Sequence, residues 1–155
     1  MTDITKFQYC QKIFVMNESN STALLARRAG EADYDGAYSL IGGKMEHSDG
    51  DILTGLAREK NEEIGSDAII EVILNYSYNT TFEKKDGSFM ILPHYYARYA
   101  GGEIILNEEY SDFTWVPLAK LPTFEPLIAN VPEIGTILSK LVEIATPEDY
   151  VRLPS

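Results

Sequence analysis

Glu59, Glu62 and Glu63 stand three and four residues apart in a stretch with helical periodicity. At about 100° per residue their carboxylates share one side of a helix predicted over residues 51–64. Ile52, Leu53, Leu56, Ala57 and Ile64 make an apolar stripe beside them, and Gly65 follows as the stop. Like charges at these spacings cost a helix roughly 0.2–0.5 kcal/mol per pair. Arg58 reaches Glu62 at i,i+4 and relieves part of the repulsion. A hard divalent cation relieves far more, because Mg²⁺ takes oxygen ligands and sits between carboxylates and substrate phosphates. Gly55 lies on the carboxylate side, where a mid-helix glycine costs about 1 kcal/mol relative to Ala. Its missing side chain leaves room for another group to approach the helix. The plain alternative is a solvated acidic face.

Upstream, Gly42-Gly43-Lys44-Met45-Glu46 reads as a glycine turn opening a short acidic loop. Gly-Gly-x-x-Glu followed by Arg-Glu-x-x-Glu-Glu-x-Gly resembles the Nudix box of the Nudix hydrolases. That pattern is Gly, five residues, Glu, seven residues, then Arg-Glu-aliphatic-x-Glu-Glu-x-Gly-aliphatic. Arg58, Glu59, Glu62, Glu63 and Gly65 match its second half. Three positions depart. The loop is one residue longer, so the box glutamate falls at Gly50, and Asp49 or Asp51 is expected to pair with the arginine instead. Lys60 takes the first aliphatic position, in the middle of the apolar stripe. Its stem is expected to follow the core and its ammonium to reach water or a carboxylate. Ser66 takes the last aliphatic position.

The resemblance, over roughly residues 7–121, implies a Nudix-type α/β/α sandwich with a mixed central sheet. It also implies cleavage of a nucleoside diphosphate linked to another group, using Mg²⁺ or Mn²⁺ and an attacking water. The residues support that chemistry independently. A pyrophosphate repels a nucleophile until divalent ions neutralise it and polarise a water, and clustered carboxylates are the hard ligands such ions require. By carry-over, Glu59, Glu62 and Glu63 are the expected metal ligands, with the Gly43 carbonyl completing the site and Arg58 orienting the carboxylates. Members often add a glutamate from a late loop, for which Glu108 or Glu109 is the candidate. Glu46 is a further candidate on the substrate side.

Leu24-Leu25-Ala26-Arg27-Arg28 looks like the family's lead-in, so Arg27 or Arg28 is expected to face a phosphate. Tyr34, Tyr38, Tyr76, Tyr78 and Phe82 are candidates for stacking on a base. His47 and His94 lack metal-ligand spacing. No counterpart of the NADH-type or ADP-ribose-type subgroup residues is found, and the tyrosine that dinucleoside polyphosphate hydrolases carry would fall near Phe82, which does not match it. A (deoxy)nucleoside triphosphate, cleaved to monophosphate and pyrophosphate, is therefore the first expectation. A Nudix-like module that senses a nucleotide without turnover is the alternative, and a plain acidic interaction domain the third reading.

The elements that must position these residues are legible around them. Alternation predicts strands over 7–15 and 22–28, forming a hairpin, and a short strand over 37–41. A long strand is expected over 70–78. Lys84-Lys85-Asp86-Gly87 makes a hairpin turn back to a strand over 89–99. Pro93 calls for an edge or a bulge there. Short strands follow at 103–106 and 113–116, with Trp115 in the core. Prolines exclude a long helix over 117–126, and Ile134, Ile137, Leu138, Leu141 and Ile144 predict a closing helix with Pro132 in its first turn. The tail after Pro147 is expected to be peripheral.

The 155 residues carry 45% hydrophobic side chains and a net charge of −11. The length suits a single domain over residues 1–155. The charge argues against a nucleic-acid backbone or an anionic membrane as partner, leaving a small nucleotide as the expected one and a homodimer as an open arrangement. One cysteine, Cys10, precludes an internal disulfide and, with no apolar run near the ~20 residues of a membrane span and no signal-peptide core, points to the cytoplasm.

Overall fold

The structure is a computed structural model that describes residues 3–30 and 34–155. Its strands are β1 (Phe7–Met16), β2 (Thr22–Arg28), β3 (Tyr38–Ser39), β4 (Ile41–Lys44), β5 (Ile69–Ile73), β6 (Tyr78–Glu83), β7 (Phe89–Gly101), β8 (Tyr110–Pro117) and β9 (Tyr150–Arg152). Its α-helices are α1 (Ile52–Ile64) and α2 (Val131–Leu138). The nine strands form one sheet with the path β3-β2-β1-β7-β5-β9, to which β4, β6 and β8 add as partners of β1, β7 and β2. β1 and β7 run parallel and the other pairs antiparallel, so the sheet is mixed.

Period-two alternation divides the core between the two faces. Ile13, Val15, Leu24, Ala26, Tyr95 and Ala97 pack on one face with Leu56, Ala57 and Ile64 of α1. Phe14, Met16, Ala23, Leu25 and Tyr96 pack on the other with Val131, Ile134 and Leu138 of α2. The α/β/α sandwich is thus present, with the glutamate helix on one face. Among the described residues no helix is long and apolar enough to cross a membrane.

Several elements differ from the sequence expectation. The first two strands meet only at Met16 and Ala23; β2 instead pairs along its length with β8, while β1 pairs with β4 and β7. The long strand expected over 70–78 is two strands, β5 and β6, broken by a turn at Leu74 and Asn75. Each pairs with a different half of the 13-residue β7. Pro93 sits at neither an edge nor a bulge: it is buried in β7 opposite Asn79, and the ladder to β1 keeps its offset from Tyr9 and Ile91 to Lys12 and His94. Residues 103–106 are not a strand. The chain passes the end of α1, where the amides of Ile105 and Asn107 cap the Ile64 and Glu63 carbonyls at 2.9 and 3.3 Å. The tail is not peripheral either. β9 pairs with β5, and Leu153 is buried behind it. The closing helix ends at Leu138 and continues as a 3₁₀ turn over Ser139–Glu143. Trp115 is half-buried against the core, 5.5 Å from the Tyr99 ring.

Candidate active site

Asp51 starts α1 as its N-cap, accepting from the Thr54 amide at 2.7 Å. The longer loop before it folds as a 3₁₀ turn over His47–Asp49, and Gly50, at φ +77°, takes up the additional residue. This turn settles which aspartate replaces the box glutamate. Buried Asp49 receives Arg58 in a two-pronged bond, Nε to Oδ1 at 2.7 Å and Nη2 to Oδ2 at 3.0 Å, while Asp51 is spent on the cap. The bond to Arg58 holds the Asp49 carboxyl below its ordinary range. Arg58 also donates to the Lys44 carbonyl at 2.9 Å and lies 3.1 Å from Glu59 and 3.3 Å from Glu62. One guanidinium therefore ties the loop, β4 and two carboxylates together.

Gly42 and Gly43 are not a turn. They belong to β4 and pair with Lys12 and Gln11 of β1. At Gly42, φ is +126° and a Cβ would collide with the β1 backbone. At Gly43 a Cβ would lie 2.6 Å from Glu59 Oε2, so the bare backbone is what lets the helix carboxylate approach. Glu63 turns inward: it is 2% exposed, and its Oε2 accepts from the Gly42 amide at 2.8 Å. Burial pushes its carboxyl up to about 8, against the pull of the Gly42 amide and Lys12. Burial also raises Glu59, partly offset by Arg58. Glu62 is on the exposed side.

These groups line a cavity of about 620 Å³ with Glu46, Gly43, Glu109, Lys12, Arg28 and Tyr110. The three helix glutamates, Glu46, Gly43 and Glu109 are thus brought together, whereas Glu108 is exposed outside that lining. A second cavity of about 540 Å³ adjoins the first, and Cys10, Lys12 and Arg28 line both. It is walled mainly by apolar side chains, among them Leu40, Met90, Leu92 and Ile134, with Ser39, Phe82, His94 and Tyr34 at its polar and aromatic positions. Arg27 is turned away, exposed and donating to the Gly36 carbonyl at 3.1 Å, while its neighbour Arg28 lies at the cavities. Tyr38 and Tyr78 are bonded to Asp112 and Glu133. Tyr76 is exposed outside the cavity lining.

Sequence reasoning missed Lys12, Ser39, Tyr110 and Gln11. The available signal was Gln11-Lys12, two polar residues side by side in a strand whose next four residues are buried and apolar. Gln11 occupies the room left by Gly55: a Cβ on Gly55 would lie 2.5 Å from Gln11 Nε2. The close approach to the helix is therefore made by the protein's own amide, not by a ligand. Lys60 also departs from expectation. Its ammonium reaches neither water nor a carboxylate but the carbonyls of Ala68, Gly65 and Ser66 at 2.8, 3.2 and 3.5 Å. It turns away from the glutamates and leaves their cavity open.

The donor set is right for a hard divalent ion: carboxylate oxygens crowded enough that Glu59 raises Glu63 and Glu62 raises Glu59, beside the bare backbone of Gly43. Yet among the described residues no three acidic, histidine or cysteine side chains already converge on one point. Glu59 and Glu62 face Arg58, and Glu63 faces the Gly42 amide.

Comparison with known proteins agrees with this architecture. The chain is 28% identical over 121 residues, 73% of its length and 85% of the relative's, to nucleoside triphosphatase NudI of Escherichia fergusonii. Its fold matches the MutT protein of Methanosarcina mazei Go1 with a TM-score of 0.71, at 22% identity over 92% of this chain and 99% of that one. It also matches the NUDIX domain of Shewanella oneidensis NrtR, crystallised with ADP ribose, with a TM-score of 0.64 at 18% identity, covering 92% and 91% of the two chains. Arg58, Glu59, Glu62 and Glu63 all lie on α1, residues 7–139 match the NUDIX domain, and the chain belongs to the NUDIX domain family of pyrophosphohydrolases.

Proposed function

We propose that the protein is a Mg²⁺-dependent hydrolase that cleaves a nucleoside triphosphate to the monophosphate and pyrophosphate. The observation that carries this reading is the pair of adjoining cavities, one acidic and one apolar, sharing Cys10, Lys12 and Arg28. A nucleotide has the same division, a flat apolar base at one end and a polyanion at the other. The Ser39 hydroxyl supports the base end. Among the described residues it has no hydrogen-bond partner in the wall of the apolar cavity, where a buried polar atom gains from a donor or acceptor on a ligand.

Glu59, Glu62 and Glu63 would hold the ion, with the Gly43 carbonyl and Glu109 as further oxygen donors. When bound, the ion neutralises the polyphosphate and acidifies a water. Arg58 keeps Glu59 and Glu62 on one side of the helix, and the Gly42 amide fixes the rotamer of Glu63. A carboxylate of the cluster takes the proton of the attacking water. The nucleoside triphosphatase NudI relative supports the choice of substrate.

A panel of nucleoside triphosphates, dinucleoside polyphosphates and ADP-ribose, with Mg²⁺ or Mn²⁺, tests the proposal. Pyrophosphate release from triphosphates is expected, lost in Glu62→Gln and Glu63→Gln. A second reading, a nucleotide sensor, is favoured by the grip of Arg58 on two of the three carboxylates; saturable nucleotide binding without turnover would select it.

A further inference from the structure

Lys12 stands at the seam of the two cavities and lines both. In β1 it is paired with Gly42 on one side and His94 on the other, which fixes its backbone from both edges. Its ammonium donates to the Gly42 carbonyl at 3.2 Å, and among the described residues it forms no ion pair with a carboxylate. Glu59 and Glu63 feel its charge without meeting it. An ammonium has three donors, and the single bond to Gly42 leaves two for an anion. A ligand whose base fills the apolar cavity must send its phosphates across this seam toward five glutamates, which repel them. A cation on the base side offsets that repulsion where the first phosphate enters.

We infer that Lys12 is a phosphate-binding residue that holds the phosphate nearest the nucleoside, so that the scissile anhydride lies over the helix carboxylates. The inference rests on the nucleotide reading above, and its test separates the two. Calorimetry in EDTA would compare adenosine and thymidine with their 5′-monophosphates on the wild type, Lys12→Met and Lys12→Arg. The wild type is expected to bind the monophosphates about ten- to a hundredfold more tightly than the nucleosides, the range of a charge-assisted hydrogen bond. Lys12→Met should collapse that ratio toward one while nucleoside affinity stays, and Lys12→Arg should keep most of it. With Mg²⁺ and the triphosphate, Lys12→Met should raise KM far more than it lowers kcat.

A wild type without the phosphate preference, or a Lys12→Met protein that retains it, overturns the inference. So does a fall in kcat at constant KM, which would make Lys12 a partner of Glu59 and Glu63 instead. A Lys12-dependent preference in a wild type that hydrolyses nothing upholds Lys12 and removes the hydrolase reading. Retained nucleoside binding shows that a variant is folded.

Discussion

Glu63 sets the pH behaviour expected of the site. Burial lifts its carboxyl from 4.5 to about 8 in the metal-free protein. In the unfolded chain it ionises at its ordinary value, so between the two the folded protein holds a proton that the unfolded chain has lost. Stability without metal should therefore fall as pH rises through that window. On the proposed role of Glu63 as a metal ligand, the cation takes the carboxylate form, so binding should expel the proton and affinity should weaken as pH drops below about 8. The Tm of the metal-free protein is expected to decrease from about pH 5 to about pH 8, Mg²⁺ to restore it at the upper end, and Glu63→Gln to flatten the profile. Mg²⁺ titrations in two buffers of different ionisation enthalpy read the released proton directly; identical heats in both would contradict the assignment.

Helix α1 shows how one element serves two faces. Its carboxylates point to the cavity, and Lys60, 1% exposed, is directed to the opposite end, where it caps carbonyls that the helix and the following turn leave open. Lys60→Met should cost about 1–3 kcal/mol, the penalty of orphaning buried carbonyls, and urea denaturation would measure it. Because Lys60 faces away from the site, this variant should keep the KM of the parent. At the other end of the helix, Gly55 and Gln11 share one space. Gly55→Ala alone gains helix propensity but displaces a buried amide. Gln11→Ala opens the gap, so the double variant should be more stable than the sum of the singles by about 1 kcal/mol. A strictly additive cycle would mean the two do not compete.

On the scale of the whole molecule, the sheet separates the two kinds of packing that build the site. α1 closes one face and α2 the other, and the apolar cavity opens between the sheet and α2 while the acidic one opens where α1 meets β4. The C-terminal strand is part of this frame. Glu71 of β5 binds Arg98 at 2.8 Å and Arg152 at 3.5 Å, and Leu153 is 3% exposed on the α1 face. Leu153→Ala should cost about 2–5 kcal/mol by thermal or chemical denaturation; a loss below about 0.5 kcal/mol would mean that the tail is dispensable. The sequence by itself determined the glutamate helix and its stop at Gly65, most of the alternating strands and the start of the closing helix, because these follow from periodicity and from local backbone chemistry. It also determined that an arginine and an aspartate must compensate the longer loop. Only the tertiary structure decided which aspartate does so, which of Arg27 and Arg28 lies at the cavities, and that Lys60 caps carbonyls. It alone placed Lys12 at the seam and the tail in the sheet. Each of those outcomes depends on partners far away in the chain, such as the β4 backbone beside β1 or the free edge of β5, and local propensity carries no record of what will be packed alongside.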